Sequence, residues 1–462
     1  MNQSAGSIIE APAWVKDYSE HVNPEWVNLL NLLQMNSTYV RCQGAELFTK
    51  DGRVILDYLS GYCVHNTGHN HPAIIAELHR ELDKLGPAML QSHVPDLSAE
   101  LAKRLCRLAG GRLNKVFFTS SGSEGVESAI KFSRATTGRN GILYVQGAFH
   151  GLTCGALSLM DSEFWRAKFG PMLADTVALP CGDLEALKEK LATKKFGAFV
   201  VEALQSEAGI RLPDAGYLRA ARELCTRYGA MLVVDEVQTG MFRTGRFLAS
   251  QHFNTAAGPV DPDMVILAKA LSGGLVPVGA ILMTDKVYSS VFDSLKRSMV
   301  HASTFSENSL SMRAGLATLD VLEAENLGER ALAMGDYLRG RLREELSGYE
   351  MIKDVRGAGL LSGIEFQAPK SMSLRVPFEA FRMIHAGMFG QVLVMRLFRD
   401  HKILTQICGN NFMVLKVAPP LTVSVEQLDA FVAAAKAVVE LAHTKNEFWG
   451  EALGLARRAV NV

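Results

Sequence analysis

Two short apolar runs, Met231 to Val234 and Met264 to Leu267, carry no polar face at all. Their branched side chains and lack of alternation predict strands buried on both sides in a mixed or parallel sheet. Further runs of this kind, Val116 to Phe118, Ile142 to Val145 and Ala198 to Val201, alternate with stretches of helical periodicity between about residues 76 and 330. That alternation predicts βα units on a largely parallel sheet. Upstream, Asp51-Gly52 lies between β-prone runs and predicts a hairpin. Pro24 to Met35 carries Trp26, Leu29, Leu30, Leu32 and Leu33 on a broad apolar stripe, which suits a helix that joins the core or caps a partner subunit. From about residue 331 the pattern changes to helices followed by strands. The chain therefore divides into an N-terminal segment 1–75, a large unit 76–330 and a C-terminal unit 331–462. No flexible linker or internal repeat interrupts it.

Composition narrows the partners. The chain has 462 residues, enough for two lobes with a large core. Its 48 basic residues balance 48 acidic ones, so no polyanion-binding surface is expected and nucleic acid is not an expected partner. The seven cysteines (Cys42, Cys63, Cys106, Cys154, Cys181, Cys225 and Cys408) are odd in number and lack CxxC spacing, as fits reduced thiols in a cytoplasm. The N-terminus has no basic stretch leading into an apolar core, and no apolar run approaches ~18 residues. A cytoplasmic protein without a membrane span is expected.

The chemistry sits at strand ends. Asp235 closes the first apolar run and Lys269 follows the second. Ligands of open α/β sheets collect at the carboxyl ends of the strands, so carboxylate and amine could face one bound molecule. Either residue alone would be an ordinary solvated strand end. Together, an amine able to form a Schiff base and a carboxylate able to hold a protonated ring nitrogen are the pair a pyridoxal phosphate (PLP) enzyme needs. After the strand at Val116, the turn Ser120-Ser121-Gly122-Ser123 opens a helix, and Ser121 with Glu124 matches a capping box. The same helix end, with its free N–H groups, also suits a phosphate. His65, His69 and His71 suggest a metal, but no carboxylate or cysteine stands at ligand spacing.

DEVQTGMFRTG followed by AKALSGG resembles the class III, or omega, aminotransferases among the fold type I PLP enzymes, and the similarity covers nearly the whole chain. The pattern is nearest to the putrescine and omega-amine aminotransferases. The resemblance implies an α/β fold with a large domain around a mostly parallel central sheet, and a smaller α/β domain built from the N- and C-terminal segments. It implies PLP as cofactor, with Lys269 carrying it as a Schiff base and moving the substrate proton, and Asp235 holding the pyridine nitrogen protonated. Ser121, Gly122 and Ser123 would cup the phosphate. Phe149 would lie against the ring, where stacking adds ~0.5–1.5 kcal/mol, with Val237 beneath it and Gln238 on the ring hydroxyl. His150 and Glu202 would stand beside the cofactor, and Tyr62 near the substrate mouth. Thr304 would reach the phosphate of the neighbouring subunit, so a homodimer is the expected minimum, with tetramers left open.

Departures from the family pattern bear on substrate. Ala203 and Ser206 alter the loop that carries Glu202 and Glu207. Leu152 stands where relatives acting on ornithine or acetylornithine carry an arginine, and Lys416 where a second arginine pairs with the loop glutamate or grips a carboxylate. Lysine is a point cation without the bidentate fork. The expected donor is therefore a carboxylate-poor amine, a putrescine-type diamine or an amine on a larger apolar scaffold such as a hopanoid, with a 2-oxo acid as acceptor in a ping-pong cycle. An aminomutase or decarboxylase on the same scaffold is the rival enzyme, and a non-catalytic relative the rival outside enzymology. A nucleotide enzyme would need the Walker lysine, which the SSGS turn lacks. Residues 376–403, rich in Met and Phe at helical spacing, read as core or dimer interface, or as an apolar entrance for a lipid-like amine.

Overall fold

The computed structural model describes residues 12–460 apart from Gln91, Ala257, His385, Ala386 and Lys445. In chain order its strands are β1 (Tyr39–Gln43), β2 (Glu46–Thr49), β3 (Val54–Asp57), β4 (Leu113–Thr119), β5 (Gly141–Val145), β6 (Thr176–Leu179), β7 (Phe196–Glu202), β8 (Met231–Asp235), β9 (Met264–Leu267), β10 (Gly279–Thr284), β11 (Ile352–Ala358), β12 (Leu361–Phe366), β13 (Ile403–Leu404), β14 (Gln406–Cys408) and β15 (Asn411–Val417). Seven form the central sheet, in the order β4-β10-β9-β8-β7-β5-β6. Strands β6, β5, β7, β8 and β9 run parallel, and β10 alone opposes both its neighbours. This is the mostly parallel sheet that the apolar runs predict.

The absence of a polar face on these runs has a direct cause. Along β8, Met231 and Val233 pack into one core with Val126, Ala129 and Ile130 of the helix Gly122–Thr137. The alternate residues Leu232 and Val234 pack into a second core with Leu218 and Ala221 of the helix Tyr217–Tyr228. Strand β9 divides in the same way, Met264 and Ile266 to one side, Val265 and Leu267 to the other. With helices on both faces every side chain is buried, each large one contributing roughly 1.5–3 kcal/mol.

Two four-stranded sheets flank the large one. β1-β2-β3 is an antiparallel meander whose turn at Asp51-Gly52 is the predicted hairpin, with Gly52 at φ 81°. β13 adds to it in parallel on β3, joining the two ends of the chain. The second sheet, β11-β12-β15-β14, is antiparallel throughout. The helices Pro72–Asp83 and Leu327–Leu346 run across positions 75 and 330.

The helix Pro24–Leu32, capped by Asn23 accepting from the Trp26 N–H at 3.0 Å, buries none of its residues in this chain. Its apolar stripe is divided: Leu30 and Leu32 pack half-buried against the core and Leu33, just past the helix, is buried in it, while Trp26 and Leu29 stay exposed. By contrast the helix Phe389–His401 buries Phe389, Val392, Leu393, Val394, Met395, Leu397 and Phe398. The Met- and Phe-rich stretch is therefore mainly core, and its contribution to the outer of the two cavities described below is Gln391.

Candidate active site

The carboxyl ends of β5, β7, β8 and β9 lie along one edge of the sheet, and β4 ends there too because two reversals restore its direction. Glu202 and Asp235, the last residues of β7 and β8, are register partners. Lys269 follows β9, opening a short 3-10 turn at φ 48°. Around this edge lies a cavity of about 540 Å³ lined by Ser121, Gly122, Ser123, Phe149, His150, Glu202, Asp235, Val237, Gln238 and Lys269. Ten of the residues expected at the cofactor are thus brought to one cavity. Thr304, expected at the neighbouring subunit's phosphate, is exposed and does not line this cavity.

Asp235 is buried, and each of its oxygens is held. Oδ2 meets His150 Nδ1 at 2.7 Å, and Oδ1 accepts from the Val237 N–H at 3.0 Å. The imidazole therefore fixes the carboxylate while each oxygen keeps a lone pair for a further donor. Burial disfavours a charged imidazole, yet the bond to Asp235 and the charges of Asp235 and Glu202 prevail and raise His150 above the usual histidine range. Lys269 is accessible from the cavity but surrounded by protein; desolvation pulls its amine below the usual lysine range against the attraction of Cys63, Glu207 and Asp235. That shift favours the neutral, nucleophilic form.

Glu202 receives the Phe149 N–H at 3.1 Å and the Ser206 N–H at 3.4 Å. Burial, with the charge of Asp235, pushes its carboxyl up to about 7 despite the neighbouring His150. A raised folded pKa favours the fold fully below the unfolded value and loses that advantage as pH rises toward 7. At ~1.4 kcal/mol per unit the loss is roughly 3 kcal/mol. Glu202→Gln, always neutral, is expected to gain on the wild type by a margin that widens between pH 5 and 8; parallel denaturation curves with no pH-dependent gap would refute this.

The cavity accepts PLP on several independent observations. The Ser121 hydroxyl caps the sixteen-residue helix by accepting from Glu124 N–H at 3.2 Å, but the reciprocal bond goes from Ser120 N–H to Glu124 Oε2 at 2.7 Å. The cap leaves this helix end suited to an anion as well. A side chain at Gly122 would meet Val237 at 2.9 Å, and one at Gly151 would meet Ser123 Oγ at 2.0 Å, so both glycines keep the cradle open. His150 Nε2 and Gln238 Oε1 are buried without a partner. A phosphate-bearing pyridine ring fits this donor set.

A second cavity of about 440 Å³ shares Phe149, Gln238 and Lys269 with the first and carries Tyr62, Leu152 and Glu207 on its wall. Glu207 Oε1 forms a fully buried ion pair with Lys416 Nζ and also accepts from Gln238 Nε2 at 3.1 Å. Its Oε2 accepts from the Gly409 N–H at 2.7 Å. The Tyr62 ring lies 5.2 Å from the Lys416 ammonium, on a backbone held at φ 61°. The pair pulls Glu207 below and Lys416 above their ordinary ranges, both against desolvation.

Sequence reasoning missed Trp165 and Asn410. The Trp165 ring meets Phe149 edge-on at 5.3 Å, and its Nε1 donates to Asn410 Oδ1 at 3.0 Å. Asn410 Nδ2 in turn donates to the Gly147 carbonyl at 2.9 Å. The two bonds of Asn410 join segments more than two hundred residues apart, so no local pattern announces them. The histidines of the GHNHP segment are engaged elsewhere: His69 meets Asp57 at 2.7 Å and stacks on His65, while His71 meets Glu325 at 3.0 Å. Among the described residues no group of three or more His, Cys, Asp or Glu is placed to hold a metal ion. Nor, among them, is any helix long and apolar enough to cross a membrane.

A strand-end lysine facing a strand-end aspartate, with an anion cradle on the same rim, defines a fold type I PLP enzyme. The chain belongs to the aminotransferase class-III family, whose model matches residues 31–439. It is 34% identical over 448 residues to the aminotransferase PigE of a Serratia species, covering 90% of this chain and 52% of that protein. The chain thus spans about half the length of that relative. Among solved structures it resembles an (S)-enantioselective omega-transaminase from Thermomicrobium roseum, with TM-score 0.81 and 26% identity over 93% of this chain and 98% of the other. It also resembles the ornithine aminotransferase of Toxoplasma gondii, with TM-score 0.78 and 27% identity over 89% of this chain and 91% of the other.

Proposed function

We propose that the chain transfers a terminal amino group from a carboxylate-poor amine to a 2-oxo acid in a ping-pong cycle. The observation that carries this reading is the convergence of Lys269, Asp235 and the Ser121–Ser123 cradle on one cavity. The chemistry available from bound PLP is a carbonyl that takes up nitrogen and a ring that spreads negative charge from the donor carbon. Lys269 would hold the cofactor covalently between turnovers and, once displaced, its Nζ would take the proton from the amine-bearing carbon. Asp235, oriented by His150 and the Val237 N–H, would keep the ring nitrogen protonated. Phe149 and Val237 would hold the ring plane, and Gln238 would meet the ring hydroxyl.

The donor preference rests on charge already spent. Leu152 is 55% exposed on the cavity wall and offers no cation, and the Lys416 ammonium is occupied by Glu207. The co-substrate carboxylate would have to replace Glu207 on Lys416. Turnover of ornithine with none of any simple amine, measured as carbonyl product by mass and as bleaching of the bound cofactor's visible absorbance, would contradict this reading.

A homodimer fits the surface around Thr304. Leu295, Met299, Val300 and Phe305 are exposed near it in sequence, and Leu85, Leu90 and Val94 are exposed on the segment whose Ala88 carbonyl accepts from the Ser309 N–H. A cavity of about 480 Å³ runs from Ser120, Val276 and Pro277 to Phe305 and Asn308, next to the phosphate cradle. Exposed apolar surface on that scale favours coverage by a second copy. All seven cysteines are free, which supports a cytoplasmic setting.

A further inference from the structure

The loop that carries Phe149 follows β5, and its backbone groups bond to side chains from elsewhere in the chain. The Gly147 N–H donates to Asp161 Oδ1 at 2.8 Å, the Gln146 carbonyl accepts from Gln205 Nε2 at 3.1 Å, and the Phe149 N–H donates to Glu202 at 3.1 Å. Those partners all lie in the large unit. The Gly147 and Ala148 carbonyls, immediately before Phe149, instead accept from Asn410 Nδ2 at 2.9 and 3.2 Å. Asn410 belongs to the C-terminal unit, in the two-residue turn that joins β14 to β15. Its own N–H donates to the Glu207 carbonyl at 2.9 Å, which fixes the turn on the large unit. Its Oδ1 accepts from Trp165 Nε1 at 3.0 Å, and the Trp165 ring meets Phe149 edge-on. An amide suits this place for a definite reason. The indole N–H can only donate and the two carbonyls can only accept, so one side chain must offer an acceptor to the first and donors to the others. A carboxylate of the same shape would satisfy the indole but set its lone pairs against both carbonyls.

Building on the reading that Phe149 lies against a cofactor ring, we propose that Asn410 is a positioning residue for amino transfer. Through the two carbonyls and Trp165 it sets the Phe149 ring, and with it the plane in which the cofactor is held, although it lines neither cavity. The C-terminal unit thereby acts on the orientation of a group bound in the large one. Small errors in that plane matter, because the bond to be broken at the donor carbon has to stand across the ring.

The test compares Asn410→Ala, Asn410→Asp and Trp165→Phe with the wild-type full chain. Without cofactor, amide hydrogen exchange across residues 147–149 should quicken at least about tenfold in Asn410→Ala, with the amides of β8 unchanged. With PLP loaded, the mass after borohydride reduction should show unchanged stoichiometry, while the visible circular dichroism of the bound cofactor loses about half its amplitude or more. The rate constant for bleaching by saturating butylamine should fall about ten- to a hundredfold, with the half-saturating concentration moved by less than about threefold. Asn410→Asp, the closest in shape, should match Asn410→Ala at pH 8 and recover toward the wild type by pH 5.5, where a protonated carboxyl can donate to one carbonyl. Trp165→Phe keeps both carbonyl bonds and should move exchange by less than about threefold. Wild-type exchange or wild-type dichroism in Asn410→Ala, or an Asn410→Asp that behaves as wild type at pH 8, would overturn the proposal. If Asn410→Ala does not fold, the pH series on Asn410→Asp decides alone. Exchange and dichroism as expected, with no amine of a panel bleaching the wild type, would fault amino transfer and leave the positioning of Phe149 standing.

Discussion

Lys269→Ala is expected to lose at least about four orders of magnitude in kcat, combining the loss of covalent attachment with the loss of the proton-moving amine. No other amine can substitute. Lys416, the nearest in chemistry, is tied to Glu207 and held strongly protonated, so it is neither free nor basic at neutral pH. Borohydride reduction followed by intact mass measurement should add one cofactor to the wild type and none to the variant. Because the residue follows a strand buried on both faces but itself opens on the cavity, the variant should fold and keep phosphate affinity at the Ser121–Ser123 turn. Turnover within tenfold of the wild type would remove Lys269 from the mechanism.

Glu207→Ala should destabilise the fold by roughly 3–5 kcal/mol, because it leaves the Lys416 ammonium buried without a counter-charge. The Gln238 amide and the Gly409 N–H lose their acceptor in the same step. Glu207→Ala combined with Lys416→Met should recover most of the loss, since the second change removes the orphaned charge and fills its volume. Denaturation midpoints of the two single variants and the double variant measure the coupling. A double variant no more stable than Glu207→Ala would show that the pair is not what holds this region. The pH dependence has a definite sign: Glu207 is depressed in the fold, so its contribution is present above the unfolded carboxylate range and is lost as pH falls through the folded value.

The large sheet was legible where burial is two-sided. Met264 to Leu267 has the same limits in the structure as in the apolar run, since a strand covered on both faces has no reason to contain a polar residue. β4 extends from Leu113 to Thr119, beyond the Val116 to Phe118 core of its pattern, because the polar Asn114, Lys115 and Thr119 interrupt the apolar run at its two ends. β10 was not anticipated. Its six residues are all buried and read like their parallel neighbours, and reversal of direction leaves no trace in hydrophobicity.

At the site, Lys269 and Asp235 could be found because strand ends concentrate ligands. The bond between His150 and Asp235 could not, for it depends on how a loop after β5 folds over β8. The pairing of Lys416 with Glu207 was foreseen as one of two options, and it is the one the unliganded chain adopts.

The parallel pairing of Ile403 with Leu56 orders events during synthesis. The hairpin is translated before the central sheet, yet the neighbour that completes its edge follows only after the whole seven-stranded sheet has been made. Until then its outer backbone groups remain open to incorrect strand pairing. Chaperone dependence should therefore concentrate late in elongation, and chains released before residue 404 should aggregate through this hairpin even though the part carrying Lys269 is complete.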